Sequence, residues 1–495
     1  MLTKLQRARA GSLATFGALA LAAALVDLGR FHRLEHGDSL VPVLVSLQRW
    51  TFFYWDQERY GMLVPLLALP VRDPLANLLL QRFLLVLAGL ATVVLLARHA
   101  LAGRDWRLAG ALAAGLVLLS WPAPWAFEYL GDQPYGLSLA LALAGLAVAE
   151  PTGGERAGRA RLGAGLALVV LAHWVNAATA LLLLPLAVAR TVVDRHEGAG
   201  REEVRRRLLL EAGLLLAGLA AGQAMLRLWP VVTGNPLRLH VAPLPIGEWP
   251  GAWGALLGRA WREAGPLPAA LGATAASGLA LLLLPAFRPL LRPALLRAAA
   301  LVLTALGYAL LTGTVAWVRE NAYHWRYLAP SAVLCEVAAA SLLAEPLSRA
   351  VRLARPALAA AVALLPALAL VAAGPPSPGG VRADLDRVAG ARTEDVLAAG
   401  CELVTGDYWS VWPTVFHAAL VAAERGEPAR LRGLCHRSNP TVPDWWERRE
   451  GIRICAARGA EAESERWLRT YHLWPVRLLE RWATVDVVTP AGSRP

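Results

Sequence analysis

Apolar runs long enough to cross a bilayer recur along this chain, and clusters of arginine separate them. That alternation constrains the fold more than any other feature. A bilayer core offers the backbone no hydrogen-bond partners, so a spanning segment must close its own bonds as a helix or within a sealed barrel. The short alternating pattern of a barrel is missing, and a run of roughly 20 apolar residues is what a spanning helix requires. The sequence therefore predicts a polytopic α-helical membrane protein. Hydrophobic residues make up 56% of the 495, too many for a soluble chain with a polar surface. A formal net charge of +12 would suggest nucleic acid in a soluble protein. Here the arginines sit between the apolar runs, where they orient helices and meet anionic headgroups. Membrane lipids are therefore expected partners and nucleic acid is not.

The basic N-terminal residues Lys4, Arg7 and Arg9 precede an apolar run near 12–28. With so many runs following, this reads as a retained signal anchor whose N-terminus is cytoplasmic. Further spans are expected near 82–97, 108–121, 137–149, 208–227, 267–286, 298–317, 331–346 and 356–374. Residues 162–189 carry arginines at both ends. One crossing would put a basic cluster outside, so two short helices of about 12–14 residues, with His173, Trp174 and Asn176 at the turn, are expected. The total is about 11 spans in an inner-membrane protein, with a first outer loop at 30–81 and an extracytoplasmic C-terminus. Residues 61–70 are too short to span and read as re-entrant or interfacial. Trp106 alone among the tryptophans falls in an inner loop, a bias that suits an outer surface stacking on sugars or headgroups.

After GPPSPGG, near residue 375, the composition becomes that of an ordinary globular domain. Short strand-like runs alternate with helical patterns, so residues 375–495 are expected to form a small extracytoplasmic α/β domain beside a membrane domain of residues 1–374. Within it, GDYWSVWP (406–413) follows a strand and opens a helix, a position that ligands favour in α/β layers. An oxidising compartment permits one disulfide among Cys401, Cys435 and Cys455, with the pairing left open. No CxxC pair supports a zinc site.

Chemistry concentrates in the first outer loop. Residues 38–61 hold Asp38, Asp56 and Glu58, with Arg49 and Arg59, among six aromatic residues. A helical run here would put Asp56 on one face with Arg59 and Tyr60. A sugar transfer needs a carboxylate to orient or deprotonate the acceptor, donors or cations for the departing phosphate, and aromatic faces for the sugar. Asp38 and Asp56 suit the first role, Arg59 and Arg326 the second, and Trp50, Tyr54 and Trp55 the third. Glu58, Tyr60, Asp132, His173 and Tyr327 are further candidates for substrate binding. Their bland alternatives are a surface ion pair at 56–59, a turn at Asp132, a structural polar group at His173 and a snorkelling arginine at 326. No spacing demands a metal, although a divalent cation is compatible with Asp38, Asp56, Glu58 and His173.

With these residues in view, the chain resembles the GT-C superfamily of membrane glycosyltransferases, the group of the protein mannosyltransferases and aminoarabinose transferases. Members place an essential Asp in the first outer loop, which here is Asp38. Many bacterial members follow it with an aromatic–Gly–Gln–aromatic–Gly stretch, which YWDQERYG (54–61) resembles, with Asp56 where Gly is commoner. Arg326-Tyr327 and GDYW (406–409) match further recurring positions. The resemblance implies an inverting enzyme that takes a hexose or pentose from a polyprenyl-phosphate donor at the outer membrane face. Its acceptor would be a glycan, a lipid or a protein. Two rivals stand beside it. A transporter or flippase needs charges within spans, for which Asp27, Glu211 and Glu336 are the main candidates. A non-catalytic envelope assembly protein would use the outer domain as a binding module.

Overall fold

The computed structural model describes residues 4–29, 31–55, 60–101, 106–150, 158–233, 242–263, 288–350, 363–438 and 451–491. Contacts divide the chain into two compact units. One comprises Met1–Val26 and Leu85–Gly374, the other Asp27–Leu84 and Pro375–Pro495. The first outer loop and the C-terminal region, expected to lie in separate domains, thus share one unit.

The first unit is helical. Among the described residues, four helical stretches are long and apolar enough to cross a membrane: Pro74–Leu101, Arg201–Trp229, Ala294–Gly313 and Trp325–Ala344. The first of them runs from the second unit into the first. Shorter apolar helices cover Leu13–Asp27, Trp106–Ser120 and Tyr135–Ala149. Of the expected spans, 267–286 lies outside the described residues, and 356–374 is described in part, as the helix Leu365–Ala373. Residues 162–189 do form two helices, Arg159–Val175 and Thr179–His196. They are 17 and 18 residues long because each continues through its flanking arginines. The break falls at Asn176, whose backbone is extended and whose Oδ1 accepts from the amide of Ala178 at 3.0 Å. Small residues let helices approach in this unit. A Cβ on Gly145 would lie 2.6 Å from the carbonyl oxygen of Gly165, and one on Gly165 would lie 2.7 Å from that of Gly145, the close backbone contact typical of membrane helix pairs.

The second unit is built on a five-stranded sheet of order β2-β1-β3-β5-β4. The strands are β1 (Leu403–Thr405), β2 (Arg432–Leu434), β3 (Ile454–Ala457), β4 (Val476–Arg481) and β5 (Val485–Pro490). β1 runs parallel to β2 and β3, while β5 is antiparallel to β3 and β4. Cys455, on β3, forms the disulfide with Cys401, just before β1. Cys435 is buried and stands outside the disulfide.

The helix Gly37–Leu47 supplies the same unit's other half. Its apolar positions Leu40, Val41 and Leu44 share one core with Val411, Trp412 and Val415 of the helix Tyr408–Glu424. Each aliphatic side chain so buried contributes about 1.5–3 kcal/mol, which explains why this segment docks on the sheet layer. Residues 61–70 contain only the short helix Leu63–Ala68, in keeping with a segment too short to span.

Candidate active site

Asp38 stands in the first turn of the helix Gly37–Leu47. The preceding Gly37 is there for space: a Cβ would lie 2.6 Å from Cε1 of Tyr408. Tyr408 itself opens the helix that follows β1. Asp407 caps that helix, its Oδ1 accepting from the amides of Trp409 and Ser410 at 3.0 and 3.1 Å. The strand–turn–helix expected at GDYW is therefore present, with Gly406 at a positive φ of 157° against Ala457.

These two helix starts bring four polar side chains together. The Tyr408 hydroxyl donates to Asp38 Oδ1 at 2.6 Å. Arg437 Nη1 lies 2.7 Å from the same oxygen, 2.5 Å from the Tyr54 hydroxyl and 2.6 Å from that of Tyr408. Its guanidinium also sits over the Tyr54 and Tyr408 rings, 4.4 and 4.9 Å from their centroids, a cation–π arrangement. Tyr54 in turn donates to the Asp38 carbonyl at 3.2 Å. Only 8% of the Arg437 side chain and 10% of the Asp38 side chain are exposed. Arg437 adopts φ 73°. A non-glycine residue held there costs of order 1–3 kcal/mol, and such positions gather at functional sites.

Burial shapes the protonation of the cluster. Desolvation is the main force pushing the Tyr408 phenol well above its ordinary value, with Tyr54 and Asp38 adding to it and Arg437 opposing. Burial works against the charge on Arg437, yet Tyr54, Tyr408 and Asp38 together hold the guanidinium above its ordinary value. The cluster is an arginine cation locked to Asp38, with the protonated Tyr408 phenol and the Tyr54 hydroxyl beside it.

Around it lies an aromatic border. Trp409 is 57% exposed, edge-on to His36 at 5.5 Å and to Tyr408 at 5.0 Å. Trp55 is buried, 5.6 Å from Trp412, and donates to the Arg49 carbonyl at 3.2 Å. A second buried charge cluster lies close in sequence. Arg82 is bonded to both Asp27 and Glu35, and Ser39 Oγ donates to Glu35 at 2.6 Å.

The remaining expected site residues fall as follows. Asp56, Glu58 and Arg59 lie outside the described residues. Their flanks are not helical: Phe53 bridges Gly61, and the Tyr54 amide donates to the Tyr60 carbonyl at 2.8 Å. Backbone pairing between 52–54 and 60–62 holds these flanks extended, and the helical alternative for Asp56 and Arg59 falls on residues outside the described ones. Asp132 ends a π-helical turn, Glu128–Asp132, and is buried, with Gln133 donating to it at 2.5 Å. His173 lies in the last turn of its helix, not in the turn beyond; its Nδ1 is 2.8 Å from the Val169 carbonyl, and Gly218 and Gly222 pack on it. Arg326 donates to Asn321 Oδ1 at 3.2 Å and lies 5.2 Å from the Tyr327 ring centroid.

The charges weighed for a transporter all have partners. Asp27 is held by Arg82, Glu211 accepts from Arg190 at 2.9 Å, and Glu336 accepts from Trp121 Nε1 at 3.1 Å. Sequence reasoning missed Arg437, Glu35 and Arg82. Arg437 stands in HRSNP (436–440), which carries only the signature of a turn.

No protein-family profile and no curated sequence matches the chain. The chain is similar to a solved structure, the crystal structure of ArnT from Cupriavidus metallidurans bound to undecaprenyl phosphate. The identity is 13% and the TM-score 0.48, over 98% of this chain and 99% of that one.

Proposed function

We propose that the protein is a membrane glycosyltransferase of the GT-C type, moving a sugar from a polyprenyl-phosphate donor to an acceptor at the outer face of the membrane. The observation that carries this reading is the buried Asp38–Tyr408–Arg437 cluster. It sits on the first-loop carboxylate that the sequence resemblance singles out, and it is bordered by an exposed tryptophan. A purely structural carboxylate at this position needs neither an arginine in left-handed backbone nor two phenols around it.

In this mechanism Asp38 orients the acceptor hydroxyl and takes its proton as the oxygen attacks the anomeric carbon. The anomeric carbon–oxygen bond to phosphate breaks, and the electron pair leaves with polyprenyl phosphate. A carboxylate paired to arginine is a weak base, so proton transfer comes late, when the attacking oxygen has become acidic. Arg437 and Tyr408 fix the direction in which Asp38 points. Arg59 and Arg326 are assigned to the lipid phosphate on their chemistry alone, because a guanidinium matches a phosphate with paired donors. Trp409 supplies a stacking face for a sugar.

The test uses purified protein in liposomes with a set of radiolabelled polyprenyl-phosphate sugars, scoring release of polyprenyl phosphate. The wild type is expected to release it. Asp38→Asn and the charge-free pair Asp38→Asn/Arg437→Met are expected to lose release, with the pair keeping a cooperative unfolding transition. Full release by the double variant would overturn the role of Asp38, and no release by the wild type from any donor would overturn the activity.

A further inference from the structure

In the first unit, the ends of five helices, rich in arginine, line a cavity of about 320 Å³ that the proposed transfer does not use. Its polar walls come from Arg98, His99, Glu150, Arg190, Arg207 and Glu211. Trp106 and several leucines complete it. The carboxylates there are already countered. Glu211 accepts from Arg190 at 2.9 Å, and Glu150 lies 3.9 Å from both Arg190 and Arg207. Arg98 has no ion-pair partner among the described residues.

The hydrogen-bond inventory points to what the cavity accepts. His99 Nδ1 lies 3.2 Å from Arg190 Nη1. A guanidinium only donates, so Nδ1 is the acceptor and the ring proton sits on Nε2. That Nε2–H is buried with no hydrogen-bond partner among the described residues; the nearest Glu211 oxygen is 3.7 Å away. Arg190 Nε–H is equally buried and unmet, with Asp194 at 3.7 Å. The side chains are 9% and 8% exposed. Two desolvated donors left open beside an unpaired arginine call for an acceptor that carries negative charge.

We infer that this cavity binds a phosphate oxyanion. His99 Nε2–H and Arg190 Nε–H donate to it, and Arg98 supplies the balancing charge. The same chemistry is offered by the headgroup of an anionic lipid and by free phosphate. With a lipid, Trp106 and the leucine walls would lie against its glycerol end.

The experiment takes delipidated protein in detergent and a phosphate-free buffer. It adds phosphatidylglycerol, phosphatidylcholine or inorganic phosphate, and reads bound ligand by native mass spectrometry and Tm by thermal unfolding. Phosphatidylglycerol is expected to remain bound and raise Tm. Arg98→Gln, an exposed change, and His99→Phe are each expected to weaken that binding about tenfold, the worth of one charge-assisted hydrogen bond. Stabilisation by inorganic phosphate without lipid retention would support the site with free phosphate as its ligand. Binding of neither, or binding identical in wild type and Arg98→Gln, would overturn it.

Discussion

Asp38 and Arg437 are 399 residues apart in the chain, yet Arg437 Nη1 donates to Asp38 Oδ1 at 2.7 Å. Both side chains are almost entirely buried, so neither charge is well solvated without the other.

Removing the cation alone should therefore be costly. Arg437→Met takes the cation away from a buried carboxylate and is expected to destabilise the second unit by about 3–5 kcal/mol. Adding Asp38→Asn should recover much of that loss. Denaturant unfolding of the two single variants and the pair forms a double-mutant cycle, and additive losses would show that the pair is not coupled.

Gly37→Ala offers a test with an inverted sign. In an ordinary helix the change gains roughly 1 kcal/mol. Here the new methyl would meet the Tyr408 ring at 2.6 Å. Overpacking of about 1–3 kcal/mol should win, lowering Tm and, on the proposed function, transfer as well.

The Tyr408 phenol, raised well above its ordinary 10.0, makes a pH prediction. A raised folded pKa favours the protonated form in the fold. The stability it contributes is fully present below pH 10 and is lost as pH rises toward the folded value. Ultraviolet titration of tyrosinate should show late-titrating phenols, and Tyr408→Phe should lower their number by one.

Trp409→Ala separates binding from folding. The residue is exposed, so stability should change by no more than about 0.5 kcal/mol. If the indole stacks on a sugar, KM should rise about tenfold, corresponding to the ~1.5 kcal/mol of an aromatic contact. An unchanged KM would remove Trp409 from the substrate surface.

The disulfide should matter for the second unit. It closes a separation of 54 residues, which by chain entropy contributes about 4 kcal/mol. Cys401→Ala/Cys455→Ala should unfold at correspondingly lower denaturant, with Cys435 still protected from alkylation by burial.

How much of this was legible in the sequence follows from which interactions are local. Hydropathy and the basic flanks of residues 162–189 are local signals, and they separated the helices on either side of Asn176 correctly. GDYW announced its strand–turn–helix because capping by Asp407 is settled within three residues. Asp38 was singled out by its place after the first span and its aromatic surroundings. Its partner was not, because nothing near HRSNP marks Arg437 as buried; that depends on a contact from the far end of the chain. Apolar positions 40–45 likewise look alike whatever they face, so their packing with the helix Tyr408–Glu424 is not announced locally. In the aromatic run at 52–60, backbone pairing across 52–62 holds the described flanks extended, a contact between separated residues that spacing alone does not announce.

The distance between Asp38 and Arg437 in the chain has a consequence for biosynthesis. A ribosome delivers Asp38 and then, 399 residues later, Arg437. Over that interval the carboxylate lacks Arg437, and until residues 408–424 are made the helix Gly37–Leu47 lacks the layer that covers its apolar side. The site is therefore completed only once residue 437 has been delivered. A product truncated ahead of residue 437 carries the first-loop acid but lacks the cluster, so the later segment acts as the licence for the earlier one.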